Sequence, residues 1–267
     1  YVPSAPASSG YLYNPVSPVR VCDTRKGNPS GLSGLQAQCN SDTPRAGTSF
    51  GVTIAGVGGI PANATAAILN VTAVNPVSPG YLSVYPAGSS VPDTSNVNFT
   101  STITVANMVV VPLSASGAID VLTSAATNVV VDVEGYFTTG TGSRGETISP
   151  SRICDTRPGS GEPYAGQTLG PGSTLELVVG GVAGVPDTAT AVVLNVTVTD
   201  TTASGYLTVY PAGAPRPVAS NLNWNPGTTL ANMVVARIGS SGRVSGSPTV
   251  DIYNDSGSTD VVVDVEG

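Results

Sequence analysis

The chain repeats itself, and the repeat constrains the architecture before any strand is assigned. The segment Pro18–Arg25, reading Pro-Val-Arg-Val-Cys-Asp-Thr-Arg, returns as Pro150–Arg157, reading Pro-Ser-Arg-Ile-Cys-Asp-Thr-Arg, 132 residues further on. Gly80–Gly88 returns as Gly205–Gly213 and Ser95–Phe99 as Ser220–Trp224, both at an offset of 125, and Ala106-Asn-Met108 with Ala231-Asn-Met233 agrees. Val129–Gly135 returns unchanged as Val261–Gly267, and the offset is 132 again. The two changes of offset place an excess of seven residues between Arg25 and Gly56 in copy one, and between Met233 and Val261 in copy two. These are loops of variable length on a fixed frame. Both chain ends fall at the same phase of the repeat, as expected of units cut from a longer tandem array or able to follow one another; a trimmed end reads the same way.

Each copy reads as all-β. Apolar runs are short, rich in β-branched residues and broken by turn signals about every 8–12 residues, the pattern of a sandwich or barrel. Strands are predicted over 49–55, 66–74, 81–85, 96–100, 107–113, 118–122 and 128–134, and again over 174–179, 191–199, 206–210, 221–225, 232–238, 249–253 and 260–266. Nothing reads as a long helix, and Gly (32) with Pro (22) supplies the turns. A hydrophobic content of 40% gathered in Val-rich runs excludes a disordered linker. The expectation is two tandem β-sandwich modules, jelly-roll or Ig-like, at 18–135 and 150–267. The Pro-, Ser- and Gly-rich stretches 1–17 and 136–149 are expected as linkers. Along Val129–Glu134, alternation puts Val129, Val131 and Val133 on one face and Val130, Asp132 and Glu134 on a second face that can be wet.

Charge narrows the partners. Seventeen acids against ten bases, of which Lys26 is the single lysine, give a net charge of −7 and no basic stripe for nucleic acid. Nowhere do about 20 apolar residues run together, so no membrane insertion is expected in this stretch.

The absence of histidine excludes Ser-His-Asp and Cys-His triads and His-ligated metals. Of the three cysteines, Cys22 and Cys39 lie in one module and flank the lengthened loop, so they are expected to pair. Cys154 is then a buried free thiol or an interchain link. Acids recur at matched positions, Asp23/Asp155, Asp132/Asp264 and Glu134/Glu266. Duplicated structural ion pairs, Asp23 with Arg25 and Asp155 with Arg157, explain this better than duplicated active sites, although a carboxylate pair of unfamiliar design stays open. Calcium on Asp132 and Glu134 falls short of the six to eight oxygens it requires. No cofactor is implied. A Lys-Asn crosslink is closed to copy two, which has no lysine. Tyr81 with Tyr85, and Tyr206 with Tyr210, share a strand face, with Phe99 and Trp224 at matched positions; the set is a sugar-stacking platform, core, or an inter-module contact. The amides Asn96, Asn98, Asn221, Asn223, Asn107 and Asn232 are read as partners for loop backbone.

The ordered set Arg-x-Cys-Asp-Thr-Arg, Ala-x-x-Leu-Asn-Val-Thr, Gly-Tyr-Leu-Thr-Val-Tyr-Pro-Ala-Gly, Ser-Asn-Leu-Asn and Val-Val-Val-Asp-Val-Glu-Gly-Tyr-Phe resembles a module repeated in large secreted and surface proteins of actinobacterial type. The resemblance covers nearly all of both copies. It implies an extracellular or cell-surface location and an accessory, multi-copy role, with no catalytic residues to carry over. Related modules are similar in placing a second cysteine after Cys-Asp-Thr-Arg, which matches Cys39; copy two lacks it. Two functions follow. The first is a non-catalytic structural unit of a filament, fibre or stalk whose partners are copies of itself, joined head to tail. The second is a carbohydrate- or wall-binding accessory module. A rod buries Tyr81, Tyr206 and the linker tyrosines within or between modules, whereas sugar binding calls for a solvent-open aromatic platform.

Overall fold

The computed structural model describes residues 11–39, 44–140, 142–240 and 246–267. Among the described residues sixteen strands follow one another, with a short 3₁₀ stretch at Gly34–Cys39 that is kinked at Ala37. The first half carries β1 (Leu12–Asp23), β2 (Thr48–Thr53), β3 (Ala66–Val74), β4 (Gly80–Pro86), β5 (Val97–Phe99), β6 (Val105–Pro112), β7 (Ala118–Thr123) and β8 (Asn128–Thr138). The second carries β9 (Ser151–Asp155), β10 (Thr174–Val178), β11 (Ala191–Thr199), β12 (Gly205–Pro211), β13 (Leu222–Trp224), β14 (Leu230–Arg237), β15 (Thr249–Asn254) and β16 (Asp260–Val265).

Each half forms two four-stranded antiparallel sheets. Their orders are β1-β8-β3-β6 with β2-β7-β4-β5, and β9-β16-β11-β14 with β10-β15-β12-β13. Eight strands in this order make a jelly roll, which decides between the two sandwiches the sequence allowed. Strand alternation fills each interior. Leu69, Val71, Val131 and Val133 meet Val52, Leu82 and Ile119 in the first module, and Leu194, Val196 and Val263 meet Leu177, Leu207 and Ile252 in the second. The two cores share no residue. Burying each such side chain contributes about 1.5–3 kcal/mol, so each sandwich has its own hydrophobic drive.

Three expectations are corrected. Of the segment 1–17, residues 1–10 lie outside the described residues, and the remainder is not linker, because β1 starts at Leu12 and pairs with β8 from Leu12↔Thr138 onward. Pro15 and Pro18 are tolerated because β1 is an edge strand, with a register shift between Pro15 and Val19. The segment 136–149 is not linker throughout either. Tyr136 and Phe137 continue β8, and Ser143 exchanges backbone hydrogen bonds with Tyr13 at 3.0 and 2.8 Å. Gly135 permits this close packing, since a Cβ there would lie 2.2 Å from the Tyr13 hydroxyl oxygen. Finally, the face of Val130, Asp132 and Glu134 is not wet: all three residues are buried. The second module covers it.

Candidate functional site: the junction between the modules

The same strand motif behaves differently in the two halves. In β11 burial alternates residue by residue, as in a sheet with one open face, whereas β3 is buried continuously from Ala67 to Ala73. The difference comes from the edge of the second module, where β13 and β14 lie against the outer face of the β1-β8-β3-β6 sheet.

Four polar side chains make the junction. The Asn70 Nδ2 group donates to the backbone oxygen of Ser220, and the Asn221 Nδ2 group donates to Glu134 Oε1. Asn232 donates to Asn70 Oδ1 at 3.2 Å and accepts from the Met108 backbone amide at 3.2 Å. All four side chains belong to buried residues. Each asparagine uses both ends of its amide, because Asn221 Oδ1 also accepts from Val209 N at 2.7 Å and Asn232 Nδ2 donates to Asn221 O at 2.8 Å. With the three amides paired at both ends and only Glu134 Oε2 left without a partner, the buried network sets one relative orientation, since sliding would strand several more polar groups out of water. The linker adds a hydroxyl pair, Ser143 Oγ to Thr190 Oγ1, at 2.9 Å.

Electrostatics follow from that burial. Desolvation pushes the Glu134 carboxyl up to about 8, against hydrogen bonds from the Val235 amide and Asn221 and with the nearby Asp132 charge adding to the rise. Glu134 is therefore mainly a neutral acid at pH 7. Its neighbour Asp132 is grasped through both oxygens by Arg20 at 2.9 Å. Burial works to raise Asp132 and the guanidinium opposes it; the two-point fork identifies an ion pair, with Arg20 held charged. The matching pair Arg152–Asp264 keeps the same fork at 2.9 and 3.1 Å in a more exposed setting.

The residues singled out from sequence fall into separate places. Cys22 and Cys39 are joined, 17 residues apart, and Cys154 is free and buried, its thiol pushed up to about 12 by desolvation and the Asp155 charge. Asp23 receives Arg25 through Nε at 2.9 Å and Nη2 at 2.7 Å, and Asp155 receives Arg157 at 2.9 and 2.6 Å. Burial would raise Asp23, but its bonds from Arg25 and Ser30 overcome this and hold it below the ordinary carboxylate value. The aromatic residues form no common platform. Phe99 and Trp224 point into the cores and Tyr85 and Tyr210 are buried, but Tyr81 is 40% exposed and Tyr206 half-buried, so the burial that the rod reading expects of these two is not met within the chain. Tyr206 and Trp224 border an inter-module cleft of about 650 Å³, beside Arg20, Arg25 and Arg216. Arg216 lies 4.0 Å over the Tyr253 ring and donates to the Tyr206 hydroxyl at 3.2 Å.

Sequence reasoning missed the junction. Asn107 and Asn232 bond loop backbone as expected, whereas Asn96 and Asn221 accept from strand amides and Asn98 and Asn223 meet serine hydroxyls; Asn221 and Asn232 also reach across to the other module. The Asn-x-Asn and Ala-Asn motifs recurring in both copies were the available signal.

No family model matches the chain, and no curated protein matches it. Among solved structures, the chain is similar to the N-terminal CBM22-1-CBM22-2 tandem domain from Paenibacillus barcinonensis Xyn10C. The likeness has 11% identity and a TM-score of 0.24 and covers 85% of each chain. A TM-score this low carries no argument about ligand or function.

Proposed function

We propose that this chain is a non-catalytic structural segment of an extracellular filament, fibre or surface stalk, in which two jelly-roll units are locked end to end. The observation that carries the reading is the buried Asn70–Asn232–Asn221–Glu134 network, which makes the two units one stiff body instead of beads on a linker. The disulfide supports an oxidising, extracellular setting, and the likeness to modules of actinobacterial surface proteins agrees with a multi-copy role. The recurrent acids are engaged as scaffold: Asp23, Asp132, Asp155 and Asp264 pair with arginines, and Glu134 accepts from Asn221.

Domain motion in the full chain tests this. NMR relaxation is expected to give both modules one rotational correlation time, and Asn232→Ala to split it in two. Independent tumbling of the unaltered chain would overturn the reading. A second reading, an accessory module for polysaccharide, is favoured by the cleft beside Tyr206 and Arg216. It predicts polysaccharide retention that Tyr206→Ala abolishes without loss of thermal stability.

A further inference from the structure

The junction is built from residues that occur twice, and only one of the two possible sets is in use. Module 1 supplies the receiving face, with Asn70, the Met108 amide and Glu134; module 2 supplies the inserting edge, with Ser220, Asn221, Asn232 and Val235. By the repeat offsets, module 2 carries a receiving face of its own in Asn195, Met233 and Glu266, and module 1 carries an inserting edge in Ser95, Asn96, Asn107 and Val110.

Both unused sets are open. Asn195 and Glu266 are half-buried where Asn70 and Glu134 are fully buried, and Met233 is exposed. Asn107 is exposed where Asn232 is buried, and Val110 is 58% exposed where Val235 is 6%. Tyr81, at the position of the cleft residue Tyr206, is open at the same free end.

The unused sets are also already shaped. Asn96 Oδ1 accepts from Val84 N at 2.7 Å and Asn107 Nδ2 donates to Asn96 O at 2.7 Å, the same two internal bonds that hold Asn221 and Asn232 in the junction. On the receiving side Arg152 forks Asp264 as Arg20 forks Asp132. Little ordering remains to be done on binding, which favours association. In addition β6 is an edge strand that, although the second module contacts it and takes its Met108 amide, leaves Val110 exposed, the kind of surface that soluble proteins cover or blunt.

From this continuity with the existing interface we infer that the junction repeats between chains: the open face of module 2 seats the open edge of module 1 of a second copy of this chain. The contact pairs Asn195 with Asn107 and Glu266 with Asn96 of the second copy. It is heterologous, so each copy added presents a fresh face and a fresh edge, and the product is an open, helically related filament. This deepens the structural reading proposed above and rests on it.

Disulfide trapping tests the inference in the full chain with Cys154→Ala as background. Asn70→Cys with Asn232→Cys, placed across the existing junction, is the internal control and is expected to close within one chain on oxidation with diamide. Asn195→Cys with Asn107→Cys is expected to give a ladder of linked copies. Mixing the Asn195→Cys single variant with the Asn107→Cys single variant is expected to give a band of two copies containing one of each. Dimers of like with like, or no link in the mixture while the control closes, would overturn the repeat between chains and leave the two-module reading standing. Failure of the control as well would overturn both.

Discussion

Replacing Glu134 by Gln removes a titratable group from the centre of the junction while keeping an amide oxygen that can still accept from Asn221. Its carboxyl stands near 8 in the folded chain against an ordinary value of 4.5. The folded state therefore holds the proton more tightly than the unfolded state. The stability this provides is fully present below pH 4.5 and is lost as pH rises through 8. One pKa unit corresponds to about 1.4 kcal/mol, so the loss runs at about 1.4 kcal/mol per pH unit and totals at most about 5 kcal/mol. The chain has no histidine, so no other side chain with an ordinary pKa titrates between pH 5.5 and 8. Tyr13 is held well above its ordinary value and stays protonated over this range in both proteins, and the Asp132 charge, which adds to the rise of Glu134, is part of the difference that the comparison reads. Urea unfolding followed by the single tryptophan, Trp224, in the strand next to Asn221, reports the change. The stability of the Gln variant minus that of the unaltered chain is expected to grow steadily from pH 5.5 to 8, with similar m-values. Parallel pH profiles for the two proteins, or a constant loss in the variant at every pH, would refute the reasoning.

Three further outcomes are expected. Reducing the Cys22–Cys39 disulfide opens a loop of 17 residues and is expected to destabilise module 1 by about 3 kcal/mol in the chain-entropy account, seen as faster hydrogen exchange in β2 and β8 than in β10 and β16. Gly135→Ala places a methyl group against the Tyr13 ring; it is expected to lower the melting temperature in the unaltered chain and to have little effect once Tyr13→Ala is present, a non-additivity that a thermal double-mutant cycle reads directly. Asp23 is held below its ordinary pKa, so its contribution is present above pH 3.8 and lost as pH falls through its folded value. Asp23→Asn is expected to destabilise at pH 7, with the gap to the unaltered chain closing on acidification when both are melted by circular dichroism.

Much of the frame was legible. Short Val-rich runs with regular turn signals located fourteen strands to within a few residues, because strand period and turn chemistry are local properties. The first strand of each module escaped that reading. β1 is threaded by Pro15 and Pro18, and its right to pair comes from lying at a sheet edge, a matter of strand order. The aromatic residues were harder still. Matched spacing put Tyr81 and Tyr206 in equivalent strands, but whether a ring stacks, packs or lies open depends on what stands in front of it.

The division is sharpest in the heptapeptide Val-Val-Val-Asp-Val-Glu-Gly, identical at Val129–Gly135 and Val261–Gly267. Its residues by themselves determine a strand whose odd valines enter a sandwich and whose acids share the opposite face with an arginine from the neighbouring strand. Tertiary structure alone decides that Asp132 and Glu134 are sealed while Asp264 and Glu266 stay half-open. Alternation encodes two faces of a sheet, but what covers the second face is brought by β13 and β14, from about a hundred residues away, and no local pattern carries that distance.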